Sequence, residues 1–396
     1  MENKITGVKE LALEEKKVLL RVDFNVPFDE KGRVSDDTRI KMALPTINYL
    51  LEKRCRIILA SHLGRPQGKI VEKLRLASIK KPLEELLGQS VALAPDSVGS
   101  ETENLVKKMK GGEILLLENL RFHPEEEKNE KEFSKSLARL AESYVNDAFG
   151  TSHRAHSSTV GITGYLPSAA GFLLEKEVAI LSKLLEKPER PFLFILGGAK
   201  VSDKAGVVKN LLARIDMVIL GGALAYTFIK AKNWDVGNSQ VEYDKLDLVK
   251  TILEDARKKR IEFHTPLDHT ITTKIAADSK YLTTERGAIP AGWIGVDIGP
   301  KAIEEYKGCI SRAKTVFWNG PMGVFEIEPF ARGTMEIAHA LGSASAYSVV
   351  GGGDSLAAVK KAGVAEKIGH LSTGGGASLE FLEGKVLPGI AALQKK

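Results

Sequence analysis

In the first half of the chain, short apolar runs end in residues able to grip an anion. Asp23 and Asn25 follow Val18-Leu-Leu, His62 and Arg65 follow Ile57-Ile-Leu-Ala, Arg121 follows Ile114-Leu-Leu-Leu, and Arg154 follows Tyr144-Val. Arg39 lies nearby in Asp37-Thr-Arg. In an open parallel α/β sheet, ligands bind beyond the carboxyl ends of the strands, so these side chains are expected on one face. A guanidinium forks onto carboxylate and phosphate oxygens. One arginine so placed would ordinarily be a surface ion pair, but recurrence at successive strand ends describes a cationic pocket. Asp23 and Asn25 stand beside it for a hydroxyl. The expected ligand is a small, doubly anionic, hydroxylated metabolite.

The second half carries glycine where the first carries arginine. Its turns are Gly197-Gly198-Ala199-Lys200, Gly352-Gly353-Asp354-Ser355 and Gly374-Gly375-Gly376-Ala377. Glycine lets backbone amides approach phosphate oxygens closely, and a helix N-terminus favours anions. Lys200 and Lys204, four residues apart, are expected on one face of a helix start. Asp354 is an oxygen ligand suited to magnesium. Neither a P-loop nor a Gly-x-Gly-x-x-Gly fingerprint is present. A polyanion site in one half and a nucleotide-phosphate site in the other suggest a kinase whose domains close to bring donor and acceptor in line. No general base stands out, which suits a carboxylate acceptor, already ionised at neutral pH.

The elements that must position these residues follow from the apolar runs. Phe192–Leu196, Met217–Leu220 and Tyr347–Val350 are four or five residues long and end in glycine, with helix-like stretches after them. Buried strand, turn, helix, repeated, predicts parallel sheets wound with helices. The first half alternates in the same way. The fold class is α/β: two doubly wound, Rossmann-like domains over 1–172 and 173–386. The helix from Gly171 to Glu186, with Leu174, Val178, Leu181 and Leu185 at helical spacing, is expected to link them.

Of 396 residues, 43% are hydrophobic and 27% charged, ordinary for a globular protein. No apolar run approaches a membrane span, and Met1–Lys17 lacks the apolar core of a signal peptide. Two cysteines in so long a chain suit a reducing compartment, so a cytoplasmic protein is expected. The net charge of +6 is spread among acids, as in Glu125-Glu126-Glu127-Lys128, which argues against a nucleic-acid partner. That acidic run is expected in a solvated loop. His153 and His156 are expected to bond locally, and Trp293 and Trp318 to pack.

Arg21-Val-Asp-Phe-Asn-Val-Pro, Ser61-His-Leu-Gly-Arg-Pro, Leu117-Glu-Asn-Leu-Arg-Phe and Asp147-Ala-Phe-Gly-Thr-Ser-His-Arg resemble the phosphoglycerate kinase family. So do Gly197-Gly-Ala-Lys-Val-Ser-Asp-Lys, Trp318-Asn-Gly-Pro-Met-Gly-Val-Phe-Glu and Gly351-Gly-Gly-Asp-Ser, in the right order along nearly the whole chain. The resemblance implies reversible transfer between ATP, with Mg²⁺, and the carboxylate of 3-phosphoglycerate, giving ADP and 1,3-bisphosphoglycerate, in a hinge-bending monomer. It also implies that residues 387–396 return to the first domain across Pro388-Gly389. It assigns Asp23, Phe24, Asn25, Arg39, His62, Leu63, Gly64, Arg65, Arg121 and Arg154 to the acceptor, and Arg39 and Lys200 to the transferring phosphoryl. Gly198, Ala199, Lys200, Lys204, Gly352, Gly353, Asp354 and Ser355 fall to the nucleotide phosphates, Asp354 to the metal. Gly295, Asn319, Pro321, Val324 and Glu326 form the adenosine side. The chain departs from the family at Leu76-Ala-Ser-Ile and at His264-Thr-Pro-Leu-Asp-His-Thr, outside the phosphate and acceptor motifs. Competing readings are a two-domain dehydrogenase and a non-catalytic nucleotide or metabolite sensor.

Overall fold

The computed structural model describes residues 5–394, and two compact units emerge from it: 1–180 with 386–396, and 181–385. Residues 1–4 of the first expected domain, and 395–396 of its expected tail, lie outside the described residues.

The first unit is built on six parallel strands: β1 (Lys17–Arg21), β2 (Arg56–Ala60), β3 (Ala92–Leu93), β4 (Ile114–Leu116), β5 (Ser143–Asn146) and β6 (Ser168–Ala170). Their order is β3-β4-β2-β1-β5-β6. The chain lays β2, then β3 and β4, on one side of β1, and β5 and β6 on the other, so the order reverses between β1 and β5. Helix Thr38–Glu52 turns Ile40, Ala43, Ile47 and Leu50 onto Leu20, Ile57 and Leu59 of the sheet. That burial explains the unbroken apolar runs. The segment Val386–Gln394 packs in this unit: Gly389 N–H donates to the Ser152 carbonyl (2.9 Å) and Thr6 N–H to Leu393 (3.0 Å).

The second unit has β7 (Phe192–Leu196), β8 (Met217–Leu220), β9 (Glu262–His264), β10 (His269–Thr272), β11 (Tyr281–Thr283), β12 (Ile294–Ile298), β13 (Thr315–Asn319), β14 (Tyr347–Gly351) and β15 (His370–Ser372). Six of them form a parallel sheet in the order β15-β14-β13-β7-β8-β9. Read from β9, this is the doubly wound nucleotide-binding order, with its reversal between β7 and β13. A three-stranded antiparallel sheet, β11-β10-β12, is added between β9 and β13 in the chain. The apolar runs did not announce it, because His269-Thr-Ile-Thr and Tyr281-Leu-Thr are short and mostly polar. Helix Phe172–Glu186 spans the boundary of the units, which falls between Ile180 and Leu181.

Candidate active site

At the carboxyl end of the first sheet, every strand next to the order reversal delivers a polar side chain. Asp23, just past β1, pairs with Arg39 from the first turn of helix Thr38–Glu52. Asn25 Oδ1 accepts the Gly64 N–H (2.8 Å), and Ser61 Oγ accepts the Phe24 N–H (2.9 Å). The turn after β2 is thereby tied to the turn after β1. Asn119 ties it to the turn after β4: its Oδ1 accepts from Leu63 and Arg121 N–H, and its Nδ2 donates to the Leu63 carbonyl at 2.8 Å. Arg121 is buried, and its Nη1 donates to the Gly64 carbonyl (2.9 Å) while Glu127 lies 3.2 Å from Nε. Burial lowers its pKa to about 10, so it stays cationic at neutral pH.

His62 is 4% exposed, and burial pushes its pKa well below the usual range, reinforced by Arg21, Arg121 and Arg39. It is a neutral ring among cations. Arg154 lies close enough to repel the charge of Arg121, and its Nε donates to His153 Nε2 (3.2 Å). Thus Asp23, Asn25, Arg39, His62, Arg121 and Arg154 are brought together, with Phe24 and Leu63 buried behind them and Gly64 in their turn. Arg65 sits on the same turn, exposed.

Sequence reasoning misplaced one group here. Glu125–Glu127 is not a solvated loop but part of a short helix, Pro124–Glu127, whose Glu126 is fully buried. Glu126 accepts from Ser158 Oγ (2.5 Å) and Ser158 N–H (2.9 Å). Arg21, the fully buried last residue of β1, was also passed over. Its signal was a charge set inside the run Val18-Leu-Leu-Arg-Val. The backbone N–H of His156 donates to Thr159 Oγ1 (3.1 Å), but the ring Nδ1 is buried without a hydrogen-bond partner, so the expected local bonding of this side chain is not seen at that nitrogen.

In the second unit the reversal between β7 and β13 is made of backbone. Gly197 N–H donates to the Asn319 carbonyl and Gly198 N–H to Pro321, both at 2.9 Å. At Gly222 (φ +66°) an added Cβ would lie 2.5 Å from the Gly198 carbonyl oxygen. Beside these turns opens a cavity of about 290 Å³. Gly198, Ala199, Gly295, Pro321, Val324, Glu326 and Asp354 line it, as do Gly222, Tyr226, Gln240, Ile275 and Ile294, which the sequence reading did not assign. Gly295 has no room for a side chain, since a Cβ there would meet Tyr226 Oη at 2.1 Å.

Lys204 is 9% exposed, and its ammonium bonds Asn319 through the side-chain oxygen and, at 3.1 Å, the carbonyl. Burial lowers its pKa to about 8. Asn319 Nδ2 donates to the Gly351 carbonyl (2.7 Å), and Ser355 Oγ accepts the Gly320 N–H (2.6 Å). Gly352 (φ +96°) leads directly into helix Gly353–Lys361, with Asp354 exposed in its first turn.

Lys200 and Lys204 do not share a helix face. The helix begins only at Ala205, because the amides of Val201 and Ser202 are held by the Glu242 carboxylate. Lys200 therefore stands exposed on the turn while Lys204 is buried. Trp318 packs in the core, its Nε1 donating to the Gly320 carbonyl (2.7 Å), and Trp293 packs beside Tyr226 and Ile271.

Comparison with known proteins decides among the readings. The family model for phosphoglycerate kinase matches residues 8–385. The chain belongs to the phosphoglycerate kinase family. The phosphoglycerate kinase of Moorella thermoacetica is 54% identical over 389 residues, covering 98% of this chain and 99% of the relative. That of Pseudothermotoga lettingae is 52% identical, covering 98% of each. Among solved structures, phosphoglycerate kinase from Coxiella burnetii superposes with a TM-score of 0.87 at 38% identity, covering 98% of this chain and 99% of that one. The enzyme from Pyrococcus horikoshii gives 0.87 at 35%, covering 98% of each. The dehydrogenase and sensor readings fall with this result. The protein is a phosphotransferase with a carboxyl acceptor, moving a phosphoryl group reversibly between ATP and 3-phosphoglycerate, a step of glycolysis. Among the described residues, no helix is long and apolar enough to cross a membrane.

Proposed function

We propose that the arginine cluster of the first unit is the 3-phosphoglycerate site and that the cavity and glycine turns of the second unit bind ATP or ADP. The observation that carries this is the convergence of Arg39, Arg121, Arg154 and a neutral His62 at one sheet end, with Asn25 and Asp23 among them. Guanidinium groups take the phosphate and carboxylate, and Asp23 or Asn25 takes the hydroxyl between them. Phe24 and Leu63 wall the pocket, Gly64 admits close approach, and Arg65 adds charge at the rim.

The second unit divides its work. Tyr226, Ile275, Ile294, Pro321 and Val324 form apolar walls for a flat base. Gly295 keeps them apart and Glu326 meets ribose hydroxyls. Gly198 and Ala199 at one turn, and Gly352, Gly353 and Ser355 at the other, offer amides and a helix N-terminus to the phosphates. Lys204, steadied by Asn319, supplies the cation. Asp354 would hold Mg²⁺ beside the phosphates. Among the described residues no cluster of three or more His, Cys, Asp or Glu could hold a metal. A single carboxylate fits an ion carried chiefly by the nucleotide, which would neutralise the charge of the moving group.

Arg39 and Lys200 would steady the transferring phosphoryl. The acceptor carboxylate is already ionised, so the reaction asks for charge stabilisation and alignment, not a base. Closure of the two units follows from that need for alignment. The reading also carries a cytoplasmic monomer with no nucleic-acid partner, in keeping with two buried free thiols and dispersed charge.

Calorimetry on single variants tests the division. Arg121→Ala is expected to abolish 3-phosphoglycerate binding and spare ADP, and Lys204→Ala to do the reverse. Loss of ADP binding in the arginine variant, with the acceptor unaffected, would refute it.

A further inference from the structure

His62 Nδ1 lies 3.2 Å from Nη2 of Arg21. A guanidinium has five N–H donors and no acceptor, so in this contact the ring nitrogen must accept. The carboxylate of Asp23 is 4.0 Å from the same nitrogen, beyond hydrogen-bond reach. Arg21 cannot turn away. It is fully buried, its Nε donates to Ser158 Oγ (2.9 Å), and its Nη1 donates to the Val22 carbonyl. Ser158 is fixed in turn by both oxygens of buried Glu126 and by the Tyr144 hydroxyl, which donates to the Ser158 carbonyl at 2.6 Å. A buried chain thus runs from Glu126 through Ser158 and Arg21 to the imidazole.

We propose that Arg21, held on Glu126 through Ser158, locks His62 in the tautomer whose proton sits on Nε2, so that the ring is a constant N–H donor to the oxygens of the acceptor substrate. The substrate half of this rests on the reading above that His62 meets 3-phosphoglycerate. Arg21 is then a positioning residue, acting through the ring. The opposite tautomer would set an N–H of Arg21 against an N–H of the imidazole. The charges facing the ring work in the same direction. Arg21 comes from β1, Arg39 from helix Thr38–Glu52 and Arg121 from the turn after β4, with His156 from the loop after β5, while the Asp23 carboxylate opposes them. Together with burial they keep the ring neutral. A neutral donor binds anionic oxygen equally well across the working pH range and adds no repulsion to a site already rich in arginine.

The test reads the ring directly. The full chain labelled with ¹⁵N-histidine, with His62→Gln to assign the signals, should show Nδ1 unprotonated and Nε2 protonated from about pH 5.5 to 8, the range in which an ordinary histidine titrates. Arg21→Gln with Glu126→Gln removes both buried charges together, so neither is stranded. In that variant the ring should titrate near its usual value of about 6.5 and mix tautomers. The KM for 3-phosphoglycerate at pH 8 should rise about twofold, the share of rings lost to the other tautomer, and recover on acidification, with kcat changing far less. Should the double variant fail to fold, Ser158→Ala loosens the same chain and should give a smaller shift of both readouts. A protonated Nδ1 in the parent, or an unchanged ring in the variants, overturns the lock. A ring that responds while KM stays flat upholds the lock and overturns the placement of His62 on the substrate.

Discussion

In the proposed assignment, the two units present their strand ends to ligands in opposite chemical styles. In the first, side chains make the site: Arg39 on Asp23, Arg121 on Gly64 and Glu127, Arg21 on His62. In the second, the backbone makes it: Gly198, Gly222, Gly320 and Gly352 all hold positive φ, and Lys204 is the one buried cation among the described residues assigned to the nucleotide. A small, densely charged acceptor needs directed charge, which only side chains supply. A nucleotide offers a large apolar base and phosphates that amides can reach, so space matters more than charge. The first site should therefore fail by losing charge, the second by gaining atoms.

The largest effect is expected where charge meets the moving phosphoryl. Arg39→Ala should lower kcat about 10²–10³-fold, the usual loss for a preorganised donor at developing charge. Circular dichroism should show the fold kept, since Arg39 is partly exposed and pairs with Asp23 outside the strand. Weaker acceptor binding with kcat unchanged would make Arg39 a binding residue only.

Gly222→Ala tests the opposite style. Positive φ alone costs alanine about 1–3 kcal/mol, and the contact with Gly198 forces the nucleotide turn to move. The variant should melt at lower temperature and bind ADP weakly while 3-phosphoglycerate binding stays intact. An alanine that left ADP affinity unchanged would show that the turn has slack.

What could be read from the residues divides along the same line. Fully buried parallel strands are unbroken apolar runs, so Val18–Leu20, Ile57–Ala60 and Phe192–Leu196 were legible. The antiparallel sheet was not, because β10 and β11 are short, β10 buried but mostly polar and β11 exposed. Arginines at strand ends declared their place by type and position. Arg21 and Glu126 did not, since Ser158, the residue that joins them, is remote from both in sequence. The lysine pair was misread for a similar reason. Where that helix begins is set by Glu242, 41 residues beyond Val201. Local spacing carries no trace of such a partner.

Lys204 lends the second unit a pH-sensitive element toward the nucleotide. With a pKa lowered to about 8, it is charged below that value and neutral above it. Metal-free ADP should bind about tenfold more weakly at pH 9 than at pH 7, because binding an anion must then restore the proton. Lys204→Arg, which stays charged throughout, should flatten the profile. A parent profile already flat would mean that the ammonium does not face the phosphates.

The smallest effect should fall on Arg65, and its size matters for the comparison. Unlike Arg121, it is exposed. An exposed cation contributes about 0.2–1 kcal/mol to an ion pair and is screened by salt. Arg65→Ala should therefore raise the KM for 3-phosphoglycerate only about two- to fivefold, leave kcat unchanged, and lose even that difference at high ionic strength. A hundredfold effect that survives salt would mean that Arg65 becomes buried on the substrate. The first unit would then complete its charge cluster only when the acceptor arrives, as side chains can and a glycine turn cannot.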